Sequence, residues 1–505
     1  MGIAHPFFTF AETTRPNLSQ LRALAGQTAI YGLSSIVGRL LNYLLVPLYT
    51  RIFSPGDYGI VSEFYAYITF LMVLYSLGME TSFFHFSNKK LKQENVYGNA
   101  QMAMTVVSVI MTIFLLLISG PLSAEIGYAK HPEFLRYMAL ILLFDTLSNL
   151  PFARLRQQNK ALRFALVKLF GIFVNIGLNL FLLLAWPKFH SVSPGETVGY
   201  VFLANLAASG LTLLLLYPEL KQMQGPYDKQ MIREMLGYGF PLLIAGFAGM
   251  INETLDRAIL KYLVTDRSQA MTQLGIYSAC YKLSILMTLF VQTFRYAADP
   301  FYFSQQNKEN ARPLFAKVMN YFVLAGCIIF LGVMLYLDII KLFIGEKYYS
   351  GLKVVPVLLA ANLFLGIYLN LSICYKLTGK TYYGAWLSIF GAIITIVFNL
   401  WLIPVMGYMG AAWATLICYA SMMILSYLKG RELMPVPYDT KQLLSMMGFA
   451  GFTWLLFELM KSWMHLSGIK SWMVALVLLI GYTGIMWKQL GGMTGLPLLK
   501  RKNNS

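Results

Sequence analysis

Apolar residues along this chain gather in unbroken blocks about 20 long, and that spacing constrains the fold more than any other feature. At ~1.5 Å rise per residue, a helix of that length crosses the ~30 Å hydrocarbon layer of a bilayer. Only helices and closed barrels satisfy every backbone N–H and C=O in lipid, and continuous blocks without period-two alternation select the helix. Fourteen spans are predicted: 27–51, 57–79, 98–119, 134–152, 162–185, 197–217, 237–261, 273–297, 317–337, 354–375, 382–403, 408–428, 441–460 and 471–490. The connections are too short to hold a folded soluble domain. Of the 505 residues 57% are apolar and 12% charged, where a soluble domain carries about 25% charged residues. A soluble enzyme, a nucleic-acid binder and a single-span receptor are therefore excluded. Cys280, Cys327, Cys374 and Cys418 all fall within spans without metal-ligand spacing and read as small core residues. Residues 1–26 are mixed and polar, unlike a secretory signal.

With the N-terminus inside, inward-facing tails and loops hold 24 Lys and Arg, and outward-facing loops hold 11. The positive-inside rule then puts both termini on the cytoplasmic side of the membrane. Five cations remain within spans: Arg39, Lys168, Arg257, Lys282 and Arg295. Five acids do too: Glu63, Asp145, Glu253, Asp256 and Glu458. The membrane interior is neutral by count, so the net charge of +18 belongs to the loops and says nothing about a cationic cavity.

The chain repeats itself. At a constant offset of 220, Lys160, Phe170, Gly171, Ile176, Asn179 and Leu180 match Lys380, Phe390, Gly391, Ile396, Asn399 and Leu400. Each repeat holds six spans, and an even number returns the chain to the same side. The fold expected is an all-α integral membrane protein of about 14 transmembrane helices. Two six-helix lobes are related by a parallel repeat, and two C-terminal helices are appended. The expected parts are an N-terminal segment 1–26, an N-lobe 27–217, a linker 218–236, a C-lobe 237–430, a linker with spans 13 and 14 over 431–490, and a basic tail 491–505. Transport sites in repeats of this kind lie between the halves near the midplane.

Polar residues inside the spans fall on faces. Span 8 carries Tyr277, Tyr281, Ser284, Thr288, Gln292, Arg295 and Asp299 at steps of three and four, one face of a continuous helix. Ser284, Thr288 and Gln292 are expected to meet water, and Leu286 and Leu289 are not. Lys282 falls off this stripe. Span 1 carries Thr28, Tyr31, Ser35, Arg39 and Asn42, with Arg39 near the midpoint. An arginine at that depth costs about 2.5–3.5 kcal/mol against lipid, so it should face the protein interior. Span 5 carries Lys168 on a face with Gly171, Asn175 and Asn179, and the counterpart face at +220 lacks the charge, which marks Lys168 as a contact for an anionic ligand. In span 7, Glu253 and Arg257 stand four apart and are expected to pair, leaving Asp256 as a proton or cation site. Asp145 in span 4 is the other such site. Glu63 and Glu458 stand near span ends and are expected to reach water.

Gly38-Arg39, the Pro47-to-Arg51 end of span 1, Pro55 through Tyr58-Gly59, Gly78-Met79-Glu80-Thr81, Asp256-Arg257 and Gly275-Ile276-Tyr277 follow one another in an order that resembles bacterial oligosaccharide flippases. These form the polysaccharide transporter family of the multidrug/oligosaccharidyl-lipid/polysaccharide exporter superfamily. Relatives often end span 2 with an Arg where this chain has His85, which removes that anion contact. The resemblance implies a two-lobed transporter of the bacterial cytoplasmic membrane. It would flip a polyprenyl-pyrophosphate-linked oligosaccharide by alternating access, with a polysaccharide polymerase as partner. It implies no cofactor beyond coupling to a proton or sodium gradient, and no nucleic acid. Arg39, Asn42, Lys168, Gln292 and Arg295 would bind substrate. Asp145, Glu253 and Asp256 would couple an ion. Arg295 would sit at the cytoplasmic mouth. Spans 13 and 14, with Trp454 to Phe457 and Val474 to Ile480, would form a groove for the lipid tail. A multidrug or cation antiporter of the same superfamily and a membrane glycosyl polymerase are the competing readings. No P-loop, catalytic triad or metal-binding cluster stands in the sequence.

Overall fold

The structure, a computed structural model, describes residues 37–38, 40–88, 95–190, 193–223, 227–306, 308 and 310–491. Every regular element among them is helical. Twelve helices are long and apolar enough to cross a membrane, and two further helices make a bent thirteenth span. Residues 27–36 and 39 of span 1 lie outside the described residues, Arg39 included; its end is α1 (Leu45–Ile52). The chain continues through α2 (Pro55–Ser76), α3 (Met79–Asn88), α4 (Val96–Glu125), α5 (Glu133–Gln157), α6 (Ala161–Leu180) and α7 (Pro194–Leu215). Then follow α8 (Lys229–Leu263), α9 (Ala270–Leu283), α10 (Ile285–Gln305), α11 (Ala311–Leu335), α12 (Val355–Leu371), α13 (Tyr382–Met406), α14 (Tyr408–Leu433), α15 (Thr440–Trp463) and α16 (Gly468–Gln489).

Local chemistry sets the helix ends. Ser54 accepts a hydrogen bond from the Asp57 N–H, and Pro55 fills the first turn of α2, where its missing N–H costs nothing. Ser193, Pro194 and Glu196 build a full capping box on α7. Asp228 and Asp439 cap α8 and α15. Gly407, at φ +59°, makes the sharp reversal between α13 and α14.

Helices α4 to α7 pack on one another, α12 to α14 form a second group, and α2, α8 and α9 run between them. α15 and α16 lean on α11. The 220-residue offset reappears as geometry. Asn179 Nδ2 donates to Asn175 O at 2.8 Å, and Asn399 Nδ2 donates to Thr395 O at 2.7 Å. Both asparagines are fully buried. Each thereby satisfies its amide donor inside its own helix, where no water would do so.

Span 8 is not one continuous helix. α9 and α10 meet at 50° around Ser284. Ser284 Oγ donates to Tyr281 O, and Tyr43 OH donates to Lys282 O, so two carbonyls freed at the break find side-chain partners.

Candidate functional site

The first part of the chain meets the second at both ends of the bundle: at one, a Cβ on Gly239 would lie 2.5 Å from Leu77 O, and the other carries the more extensive seal described next. Two glycines let α2 and α9 touch backbone to backbone. A Cβ on Gly275 would lie 1.8 Å from Pro55 O, and one on Gly59 would lie 2.2 Å from Met271 O. Beside this crossing, Arg51 Nη2 donates to Leu342 O at 2.9 Å, the Gly345 N–H to Thr50 Oγ1 at 3.0 Å, and Tyr348 OH to Phe53 O at 3.1 Å. Glu63 completes the seal. It is fully buried, accepts hydrogen bonds from Tyr67 and Tyr128, and pairs with Lys261 Nζ at 3.2 Å. The expectation that Glu63 reaches water is thus corrected: a position near a span end is solvated only if no other element covers it.

Behind the seal lies a cavity of about 410 Å³, walled by span 1 and helices α1, α2, α6, α7, α8 and α9. Tyr58 and Arg257 stand at its sealed side; Asn42, Thr69 and Lys282 reach farther toward the opposite end. Tyr49, Tyr65, Asn175, Asn205 and Ser278 make much of the wall. Asn175 and Tyr49 are tied together through Asn179, and Asn205 Nδ2 donates to Tyr65 OH at 3.2 Å, so these wall groups are held in place. The Ser278 hydroxyl is buried with no partner among the described residues.

The charges in this cavity differ from the sequence expectation. Arg257 does not pair with the Glu253 carboxylate. It donates to the Glu253 backbone oxygen at 2.6 Å, approaches Asp256 Oδ1 at 3.5 Å, and lies 4.3 Å from the Tyr281 ring centroid. Asp256 is consequently not left over. It is buried and also accepts from Tyr277 OH and the Arg257 N–H. The i,i+4 rule finds which residues are neighbours on a helix; here packing of α9 against α8 supplies a tyrosine that holds Asp256 against Arg257. Glu253 is exposed and lines the cavity. Lys282 lines it too, with its ammonium 5.6 Å from the Tyr43 ring and, among the described residues, no carboxylate within ion-pair distance.

The other sequence candidates fall elsewhere. Asn42 lines the cavity. Lys168 does not; its Nζ lies 5.3 Å from the Phe164 ring. Asp145 stands behind the wall, with Ser209 as hydrogen-bond partner. Gln292 and Arg295 are not among the lining residues. Arg295 is exposed beside a small recess with Asp299 and Tyr302, and Asp299 pairs with Lys376 at 3.0 Å. The span 8 stripe is therefore broken in two. Ser284, expected to meet water, is fully buried at the 50° bend, which resets the helical phase on which the stripe was counted. Lys282, off the counted stripe, reaches the cavity on the face of α9 that also carries Ser278, four residues earlier. A groove of about 450 Å³ between α11 and α16 is lined by Ile328, Leu479, Ile480, Thr483, Gly484 and Trp487; Phe457 of α15 is buried in the core instead.

Comparison with known proteins adds three findings. A family model described as polysaccharide biosynthesis protein matches residues 24–305, more than half of the chain. A protein of the Lsg locus of Haemophilus influenzae is 22% identical over 346 residues, 66% of this chain and 81% of that protein. Among solved structures, the lipid II flippase MurJ in an inward closed conformation superposes with a TM-score of 0.65 at 12% identity, covering 93% of this chain and 99% of that one. An inward-facing multidrug resistance MATE family transporter of the MOP superfamily gives 0.61 at 14% identity, covering 82% and 97%. At these identities the two structures show a shared fold.

Proposed function

The chain belongs to the family of polysaccharide biosynthesis proteins, and from that premise we propose that it flips an oligosaccharide repeat unit carried on a polyprenyl pyrophosphate. It does so by alternating access between two six-span lobes, and hands the unit to a polysaccharide polymerase. The observation that carries this reading is Lys282. Among the described residues its ammonium has no carboxylate at ion-pair distance; Glu253, on the same cavity wall, acts on it only at longer range, so a ligand anion entering the cavity gains a directly available counter-charge. A pyrophosphate is such an anion. Arg257 stands on the same wall and offers further donors, and Arg suits phosphate oxygens by its fork of N–H groups. Asn42, Asn175, Asn205 and the tyrosines match sugar hydroxyls in both directions of hydrogen bonding.

The charge asymmetry of the loops favours a sealed end facing outward from the cytoplasmic membrane, with both termini inside. Arg39, in span 1, would add a third cation. Arg295, near the opposite end, would meet the pyrophosphate on entry, with Gln292 and Lys168 as further contacts. Glu253 is the coupling site we favour for a proton or sodium ion, ahead of Asp145 and Asp256, because its carboxylate faces the cavity. The groove between α11 and α16 is wide and apolar enough for part of a prenyl chain.

The same Glu253 is the one feature that favours a cation or drug antiporter instead. Everted vesicles containing the protein separate the two readings. Uptake of a labelled polyprenyl-pyrophosphate sugar without uptake of a labelled cationic drug supports the flippase; the opposite result overturns it.

A further inference from the structure

We propose that Glu63 and Lys261 are the electrostatic latch of the outer gate, which sets how often the sealed end opens. The proposal rests on the alternating-access reading above. Among the described residues, their ion pair is the one that joins a helix before residue 223 to a helix after residue 227. The other ion pairs lie within one side of that divide and survive a relative movement of the two sides. The two residues are 198 positions apart, and the carboxylate is fully buried.

The arrangement is lopsided in a way that suits a latch. Glu63 keeps Tyr67, from its own helix, and Tyr128, from the loop before α5, whichever way α8 moves. Lys261 is the donor it loses. Lys261 also donates to Ile126 O at 2.6 Å and lies 4.4 Å from the Tyr128 ring, so a single ammonium fastens α8 to two segments of the first half. When the end opens, the ammonium passes to water, and the carboxylate, still held by its two hydroxyls, is wetted by the opened seam. Opening thus exchanges one desolvated attraction for hydration of both charges and leaves neither stranded. The tyrosine pair Tyr67–Tyr262, at 2.9 Å, lies beside it and carries no charge.

The test uses the full chain in nanodiscs without substrate. Spin labels are placed at Lys130 and Arg267, both exposed at the sealed end on opposite sides of the seam, and the four buried native cysteines stay in place. Lys261→Met leaves the buried carboxylate unpaired in the sealed state. It should raise the long-distance, open population at least about tenfold. Adding Glu63→Gln to that variant removes the stranded charge and should bring the population back toward wild type. Glu63→Gln alone, which keeps shape and volume, gives an intermediate opening and covers the case in which Lys261→Met does not fold. Unchanged distances in Lys261→Met or in Glu63→Gln overturn the latch, as does a double variant no more closed than Lys261→Met. Each of those failures leaves the transport reading intact. Loss of that reading in the vesicle assay would leave the distance result standing as a property of the fold.

Discussion

Replacing Gly275 by alanine tests whether the seal is a working contact. The added Cβ would stand 1.8 Å from Pro55 O, 2.8 Å from Pro55 C and 3.0 Å from Gly59 N. A carbon and an oxygen settle at about 3.3 Å, so the helices must part by roughly 1.5 Å. Both clashing groups belong to backbone, and no rotamer change relieves them. Overpacking costs typically 1–3 kcal/mol, and a backbone clash on both sides takes the upper end, about 3 kcal/mol. Gly→Ala in a helix interior returns about 0.5–1 kcal/mol, but the residue is helical in both states and that gain cancels. Relaxation of the two helices takes up part of the clash and leaves about 2 kcal/mol against the sealed state, roughly 30-fold in the ratio of sealed to open. The assay is the rate at which an impermeant thiol reagent, added outside intact cells, labels Ser62→Cys on the cavity wall, in a background free of the native cysteines. Gly448→Ala is the control, because it makes the same change inside α15 with nothing within 4 Å of the new methyl. Labelling should rise about 30-fold for Gly275→Ala and stay at the parent rate for Gly448→Ala. Equal rates for the two variants would refute the reasoning, since helix propensity alone predicts no opening in either.

Three further outcomes follow from the same geometry. Lys282→Ala should cut polymer export at least about tenfold at normal expression, while Lys282→Arg, which keeps the charge, retains a measurable part of it; equal export by both variants would remove Lys282 from the site. Asp256→Asn leaves Arg257 without its buried counter-charge and should lower thermal stability in detergent by about 3 kcal/mol, read as an earlier melting transition, whereas Glu253→Gln, at an exposed carboxylate, should leave melting unchanged. Asp338 ties the segment after α11 to α15 through Lys461, and Lys341 of its own segment also bonds it; burial would push its carboxyl up, but the hydrogen bonds and charges of the two lysines together hold it below the usual value. A carboxyl lowered in the folded state stabilises it above the ordinary carboxylate range and loses that contribution as pH falls through the lowered value. Hydrogen exchange at 461–466 should therefore speed up only below about pH 4, and Asp338→Asn should show fast exchange at neutral pH as well.

The sequence by itself determined the helical class and the order of the spans. Apolar length is a local property, and a bilayer accepts few structures of that length. The repeat was legible for a related reason. Asn179 and Asn399 are polar residues that a span tolerates only in a special setting, so their constant offset stood out against interchangeable leucines. The tertiary structure alone decided which charges share a space. Lys282 and Arg295 belong to one predicted span, but the span breaks at Ser284: Lys282 lines the cavity on the Ser278 face of α9, and Arg295 stands beyond the bend, outside it. No apolar period announces that bend, because it is held by hydrogen bonds from Ser284 and Tyr43, and Tyr43 comes from a span 239 residues earlier. The same holds for Glu63. Near a span end it reads as solvated, and only the meeting of α2 with α8 across 198 residues turns it into a buried partner of Lys261. Hydropathy reports how deep a residue sits in the membrane, and what stands opposite it is fixed by how distant helices pack.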